Sequence, residues 1–390
     1  MPTLSNKLKG KVKPQPKRDR PLWKGPEEDG ITQSLLSRFL CCRERFRLLV
    51  VEGLKPADAW DHRMGYGDMW HVCEENIDNW QQRLRDYAAG VCKKYRLQQE
   101  QIDHYYNICK VQFPIYLDWW SKHPDVKSRT VLMPEQVFNV PYKLPSGRVV
   151  KLRGKWDSVD LIGKQIYLQE NKTKGDVVEQ QIRGQLQFDL QTMLYMVALK
   201  NLPLGVTKCG PGQIALGDKL AGVRYNVIRR PLSGGKGSIR QHKPTKSNPD
   251  GESKDEFYSR LAGLIQSATG QEWEVPPGQH YYFSRWKCEI SAKDINEFEY
   301  RFLIPILEQL CDWWAWVKAC KYDPFSERKF TYYEYHTQPS EARRYGLHWQ
   351  HPFGVYNALN EGGSSDLDEY LATGSMGGLQ QTDQLFGELV

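Results

Sequence analysis

The chain has 390 residues, 40% of them hydrophobic and 26% charged. At roughly 150 residues per domain, that length supports one to three domains with full cores, and the balance excludes a disordered, collagen-like or membrane-spanning chain. The net charge is +7, unevenly placed: residues 1–26 hold eight basic side chains and one acid, whereas residues 361–390 hold six acids and no Lys or Arg. Such asymmetry suits either a polyanionic partner for the basic parts or a solvated basic arm.

Residues 1–30, with Pro14, Pro16, Pro21 and Pro26 among many lysines, read as a flexible basic arm. The arm lacks the apolar stretch of a secretory leader. Leu35, Leu36, Phe39, Leu40, Phe46 and Leu49 then recur at helical spacing. Residues 77–97 and 101–120 continue this helical part, 31–125, which Pro124 closes. β-Branched and aromatic residues predict strands over 131–140 and 148–161, joined by a Pro-Ser-Gly turn at 145–147. A short third strand, 166–170, follows a turn at Gly163 and Lys164. A long helix is expected over 179–199 and a strand over 223–228. Residues 229–254 carry Arg229, Arg230, Lys236, Arg240, Lys243 and Lys246 among Gly, Ser and Pro without a hydrophobic period, and read as a mobile basic loop. Helices over 253–268 and 291–321 follow, then an extension with an acidic tail over 331–390. Residues 31–330 thus read as one domain of α+β or mixed α/β class, a central sheet flanked by helices.

The chemistry concentrates in Gly154-Lys-Trp-Asp157 and, thirteen residues beyond the aspartate, Glu170-Asn-Lys172. Side chains alternate along a strand, so Glu170 and Lys172 share a face and Asn171 points away. A hairpin through the 163–164 turn brings Asp157 beside them. Two adjacent carboxylates repel unless a divalent cation, a shared proton or the lysine offsets them. Hard oxygen ligands suit Mg²⁺ or Mn²⁺. Such a cation activates water for phosphodiester hydrolysis, with the lysine orienting or deprotonating that water. A cross-strand ion-pair network of Lys172, Glu170 and Asp157 is the alternative. On the following helix, Gln187, Gln191 and Tyr195 are spaced to share one face.

Together these residues resemble the PD-(D/E)XK nuclease superfamily, and within it the RecB-like branch that includes phage exonucleases. The pairs Gly67/His71, Gly154/Asp157, Glu170/Lys172 and Gln191/Tyr195 stand in the branch's order, and the resemblance covers roughly residues 31–230. The opening from Ser34 through Phe39 and Cys42 to Phe46 is similar to that branch's as well. The resemblance implies a restriction-endonuclease-like core and a Mg²⁺- or Mn²⁺-dependent deoxyribonuclease, exonuclease favoured over endonuclease. It makes His71, Asp157 and Glu170 metal ligands, together with the Asn171 carbonyl. Lys172 becomes the catalytic lysine, and Gln191 and Tyr195 position the DNA. Glu135, on the strand before Asp157, is a possible additional acid. The implied partner is DNA, not a membrane, and the implied location is the cytoplasm, of a bacterial host if a phage encodes the protein. A protein that keeps the fold for DNA binding, or for a structural or packaging role in a phage, is the alternative.

Nine scattered cysteines contain no C-x-x-C, which disfavours zinc ribbons and redox motifs. Some branch members hold an iron–sulfur cluster. Here only Cys41 or Cys42 matches its early ligand, and the late cysteines are widely spaced, so no cluster is expected.

Overall fold

The computed structural model describes residues 21–41, 43–55, 59–175, 186–202, 220–232, 239–268, 282–319 and 380–381. Most of the N-terminal arm and of the 331–390 extension, the helix expected over 179–185, and Cys42, Cys209 and Cys320 lie outside these residues. In chain order the elements are helices α1 (Gln33–Cys41) and α2 (Arg43–Phe46), strand β1 (Leu54–Lys55), helices α3 (His62–Glu75), α4 (Trp80–Lys94) and α5 (Gln99–Ser121), and strands β2 (Arg129–Lys143), β3 (Val149–Ile162) and β4 (Gln165–Lys174). Helix α6 (Leu190–Lys200), strand β5 (Leu220–Arg229), helix α7 (Lys254–Ala268), strand β6 (Phe283–Glu289), helices α8 (Ala292–Phe298) and α9 (Ile304–Ala319) and strand β7 (Gln380–Gln381) follow.

The chain divides into two compact units, and the division falls within α9. The smaller unit takes in the described residues up to 55 and those from 310 onward. An aromatic cluster forms its core: Trp23 meets Trp314 at 5.1 Å between ring centroids, and Phe46 meets Trp313 at 5.4 Å. Gly25 has φ +113°, and a Cβ there would collide with the Trp314 indole. Only glycine suits both the left-handed backbone and that close approach. Strands β1 and β7 pair antiparallel in this unit.

The larger unit, 59–309, is built on a mixed five-stranded sheet in the order β2-β3-β4-β5-β6. β2, β3 and β4 form an antiparallel meander, turning at Gly147 (φ +86°) and Gly163 (φ +63°). β5 pairs parallel to β4, and β6 pairs antiparallel to β5. A parallel neighbour needs a long crossover, and α6 belongs to it.

Alternation along the strands separates two helical layers. On one face of the sheet Tyr225 exchanges a 2.7 Å hydrogen bond with Thr192 of α6. On the other, Ile228 and Phe283 join a core with α3, α4, α5 and α7, where Trp70, Phe113, Tyr116 and Leu261 are buried. The Trp119 and Trp313 side chains are buried.

The structure corrects three local expectations. The helix read over 179–199 is interrupted: Leu186 is helical, residues 187–189 leave the helix, and α6 begins at Leu190, where the Asp189 side chain accepts the Gln191 amide at 3.2 Å and caps it. Gln187 therefore sits in a turn and does not share the face of Gln191 and Tyr195. Arg229 is not a loop residue: it ends β5 and is buried, with its amide bonded to the Tyr282 carbonyl. Strand β6 had no counterpart in the sequence reading, because its Arg285, Lys287 and Glu289 blur the apolar pattern of a sheet strand.

Candidate active site

The β3–β4 ladder ends toward the site at the pair Ser158 and Gln169. Beyond it, the Asn171 amide donates to Asp157 Oδ2 at 2.6 Å. A backbone donor that would belong to the ladder thus fixes the carboxylate. Glu170 and Lys172 project toward α6, where Lys172 Nζ lies 3.0 Å from Glu170 Oε2 and donates to Gln191 Oε1 at 2.6 Å. Gln191 Nε2 turns back to Glu170 Oε2 at 3.3 Å and to the Tyr195 hydroxyl at 3.3 Å. The Asn171 side chain lies on the opposite face and accepts from Gln169 and Asn226, both at 3.1 Å.

His71, on α3, closes the site from another element. Its Nδ1 lies 3.7 Å from Asp157 Oδ1 and 3.6 Å from Glu135 Oε1. One ligand atom from each of His71, Glu135 and Asp157 falls within 4.8 Å of the others. Lys155 bridges Glu135, at 2.5 Å, and Glu75. Sequence reasoning missed Glu75 and Lys155, yet both carried a signal. Glu75 is one helical turn beyond His71, and Lys155 is two strand residues before Asp157, so each shares its neighbour's face.

The motif glycines have a steric cause. A Cβ on Gly154 would stand 2.7 Å from Tyr195 Cε1 and 2.7 Å from the Phe138 ring. A Cβ on Gly67 would meet Thr173 Oγ1 at 3.3 Å, so glycine lets α3 lie close to β4. Gly154→Ala should therefore overpack the seat of Tyr195, costing about 1–3 kcal/mol. Calorimetric melting should show a drop of several degrees, and an unchanged melting temperature would mean that the ring moves aside freely.

The electrostatics is that of a site crowded with acids. Burial raises the Glu170 carboxyl to about 7, even though Lys172 pulls it down. Burial likewise raises Asp157, against the opposing pull of His71 and the Asn171 amide. Burial would raise Glu135 too, but hydrogen bonds from His71, Glu75 and Lys155 prevail and hold it below the usual carboxylate range. At His71 burial favours the neutral ring, yet Asp157 and Glu135 outweigh it and lift the imidazole to about 9. At Lys172 burial is outweighed by Glu170, so the ammonium is held in its charged form.

These shifts give a pH dependence with a definite sign. His71 and Glu170 both titrate higher in the folded chain than their ordinary 6.5 and 4.5. Their stabilising contributions are complete below those ordinary values and are lost as pH rises through about 7 for Glu170 and about 9 for His71. In EDTA the melting temperature should fall between pH 6 and pH 9, and His71→Asn should flatten the upper part of that fall. A divalent cation needs the neutral ring and ionised carboxylates, so its stabilising effect should grow over the same interval. A metal-free melting temperature that rises toward pH 9 would contradict this assignment.

The donor set fits a hard divalent cation. Asp157 and Glu135 supply carboxylate oxygens and His71 an imidazole nitrogen within one small sphere, and Glu170 lies close enough to Asp157 and His71 to feel both charges. Oxygen-rich ligation with a single imidazole suits Mg²⁺ or Mn²⁺ better than a soft metal. No helix among the described residues is long and apolar enough to cross a membrane. A comparison with curated proteins returned no match. A family model of the PD-(D/E)XK nuclease superfamily matches residues 31–291, which span α1 to β6 and every residue of the site above. With that match over more than half of its length, on a mixed sheet that carries the acid-x-lysine pair, the chain belongs to the PD-(D/E)XK nuclease superfamily.

Proposed function

We propose that the protein is a DNA exonuclease of the RecB-like branch that hydrolyses phosphodiester bonds with Mg²⁺ or Mn²⁺. The observation that carries this reading is the convergence of His71, Glu135 and Asp157 beside the Glu170–Lys172 pair, from four separate elements. When bound, the cation polarises the phosphoryl oxygen and acidifies water. Asp157, Glu170, His71 and the Asn171 carbonyl are its proposed holders, with Glu135 as an additional acid. Asp157 is fixed for this by the Asn171 amide, which sets the direction of its carboxylate.

Lys172 serves as a charged donor rather than a base. Its ammonium is stabilised by Glu170, so it orients water or neutralises charge that develops on the phosphate. Gln191 spends its carbonyl on Lys172 and its amide on Glu170 and Tyr195, so it holds the acid and the lysine in register. Tyr195 braces Gln191 from a buried position above Gly154. This pair positions DNA by ordering the groups that meet it.

Incubation of the full chain with end-labelled linear and closed circular DNA, with Mg²⁺, with Mn²⁺ and with EDTA, tests the reading. Loss of the linear substrate alone, dependent on metal, is expected. Cleavage of circles at equal rate would make the enzyme an endonuclease, and no cleavage with either metal would reject the nuclease assignment.

A further inference from the structure

Beside the carboxylates lies a cavity of about 500 Å³, bordered by Glu135 and Asp157 and extending to Trp120, Arg129 and Arg285. Arg285, on β6, is only 2% exposed. Its Nη1 donates to Asn226 Oδ1 at 3.1 Å and its Nη2 to Gln169 Oε1 at 2.7 Å, while the guanidinium lies 3.5 Å from the centre of the Trp120 ring. Its Nε has no hydrogen-bond partner.

The neighbouring arginines are neutralised. Arg129 pairs with Asp160 at 2.6 Å, and Arg224 pairs with Asp125. Among the described residues, no carboxylate lies within ion-pair distance of Arg285; its hydrogen bonds go to neutral amides. Glu74 also lines the cavity, but it accepts from Trp70 Nε1 and its burial favours the neutral acid. A guanidinium does not lose its proton in a protein. Arg285 is therefore a buried positive charge without a direct ion pair: Asp160 acts on it only at longer range and is already paired with Arg129, an arrangement that costs stability until an anion arrives.

The anion that fits is a phosphate. A guanidinium fork matches phosphate oxygens, and the amides hold the fork in place before any ligand binds. The cavity is continuous with the acids of the hydrolytic site. The arginine is also tied to that site through Gln169 and Asn171, whose amide holds Asp157. We propose that Arg285, with Arg129 beside it on the Trp120 ring, seats a phosphate of the nucleic acid adjacent to the one being hydrolysed. This rests on the nuclease reading. The phosphate is either the terminal monoester of a strand end or an internal diester, and the two share the same recognition chemistry.

The test uses the full chain as wild type, Arg285→Gln and Arg285→Lys, in EDTA so that no cleavage intervenes. Melting is followed in sodium phosphate and in sodium chloride of equal ionic strength. Phosphate should raise the wild-type melting temperature by several degrees, and Arg285→Gln should lose that rise. Short single strands, with and without a terminal phosphate, are then bound at several salt concentrations. Arg285→Gln should bind about tenfold more weakly at low salt, with its salt slope smaller by about one unit. Arg285→Lys keeps the charge and hence the slope but lacks the fork, so its phosphate-induced rise should be clearly smaller than that of wild type, and this difference carries the comparison if the glutamine variant does not fold. A preference for phosphorylated ends that disappears in Arg285→Gln assigns the terminal monoester. A lost slope without end preference assigns an internal diester. Equal phosphate response in all three proteins, or none in the wild type, overturns the proposal. A wild type that shows the Arg285-dependent response but never cleaves DNA would reject the nuclease reading and leave this site standing. A metal-dependent nuclease indifferent to Arg285 would do the reverse.

Discussion

Asp157→Asn and Glu170→Gln should each lower metal-dependent DNA cleavage by at least about a thousandfold. Each change removes one negative charge from the proposed cation holders, an effect of several kcal/mol, and every 1.36 kcal/mol is about tenfold in rate. The fold should survive. In Asp157→Asn the side-chain oxygen still accepts the Asn171 amide, which now stands at 2.6 Å, and the repulsion from Glu135 and Glu170 is relieved. Its metal-free melting temperature should stay within a few degrees of wild type, since surviving contacts and relieved repulsion offset the lost pull of His71. Cleavage assays paired with melting curves check both halves of the expectation. Retention of near-normal cleavage by either variant would remove that residue from the site.

Lys172→Arg should lose roughly a hundredfold or more, the cost of one misplaced donor at a reacting phosphate. The ammonium fits between Glu170 Oε2 at 3.0 Å and Gln191 Oε1 at 2.6 Å, a gap that a planar guanidinium does not share. Binding of DNA should persist because the charge is kept. Lys172→Met separates charge from shape. Without the ammonium, burial acts on Glu170 unopposed by its strongest partner, and its pKa rises further above about 7. The ascending limb of the pH–rate profile should then move upward in Lys172→Met. Arginine should leave that limb nearly in place while lowering the plateau. A profile that does not move in Lys172→Met would show that Lys172 does not govern the ionisation of Glu170.

Much of the site was legible because its signals are local. The meander β2–β3–β4 follows from β-branched runs and two turns, and strand alternation puts Glu170 and Lys172 on one face with the Asn171 side chain on the other. The structure shows those side chains engaging α6 and Asn226 respectively. Glu75 and Lys155 were equally accessible through helix and strand periodicity, but no motif drew attention to them. Strand β6 was hidden, since Arg285 facing a polar cavity and the exposed Lys287 and Glu289 remove the apolar pattern by which strands are read. The break before α6 was missed because a single capping carboxylate, Asp189, starts a new helix where the sequence pattern reads as continuous.

The sequence by itself determined the order of the motifs, the class of fold and the acid-x-lysine pair, because each rests on neighbours along the chain. It also carried Gly154, whose reason is legible only once Tyr195 is seen to occupy the space of a Cβ. Tertiary structure alone decided that His71 meets Asp157, 86 positions further along the chain, that Glu135 joins them, and that Arg285 enters the same cavity from the far strand of the sheet. The physical reason is that such meetings depend on how a helix layer and five strands close around a common core, with only a small entropic dependence on chain separation. No local periodicity records which distant side chains that closure will bring within a few ångströms.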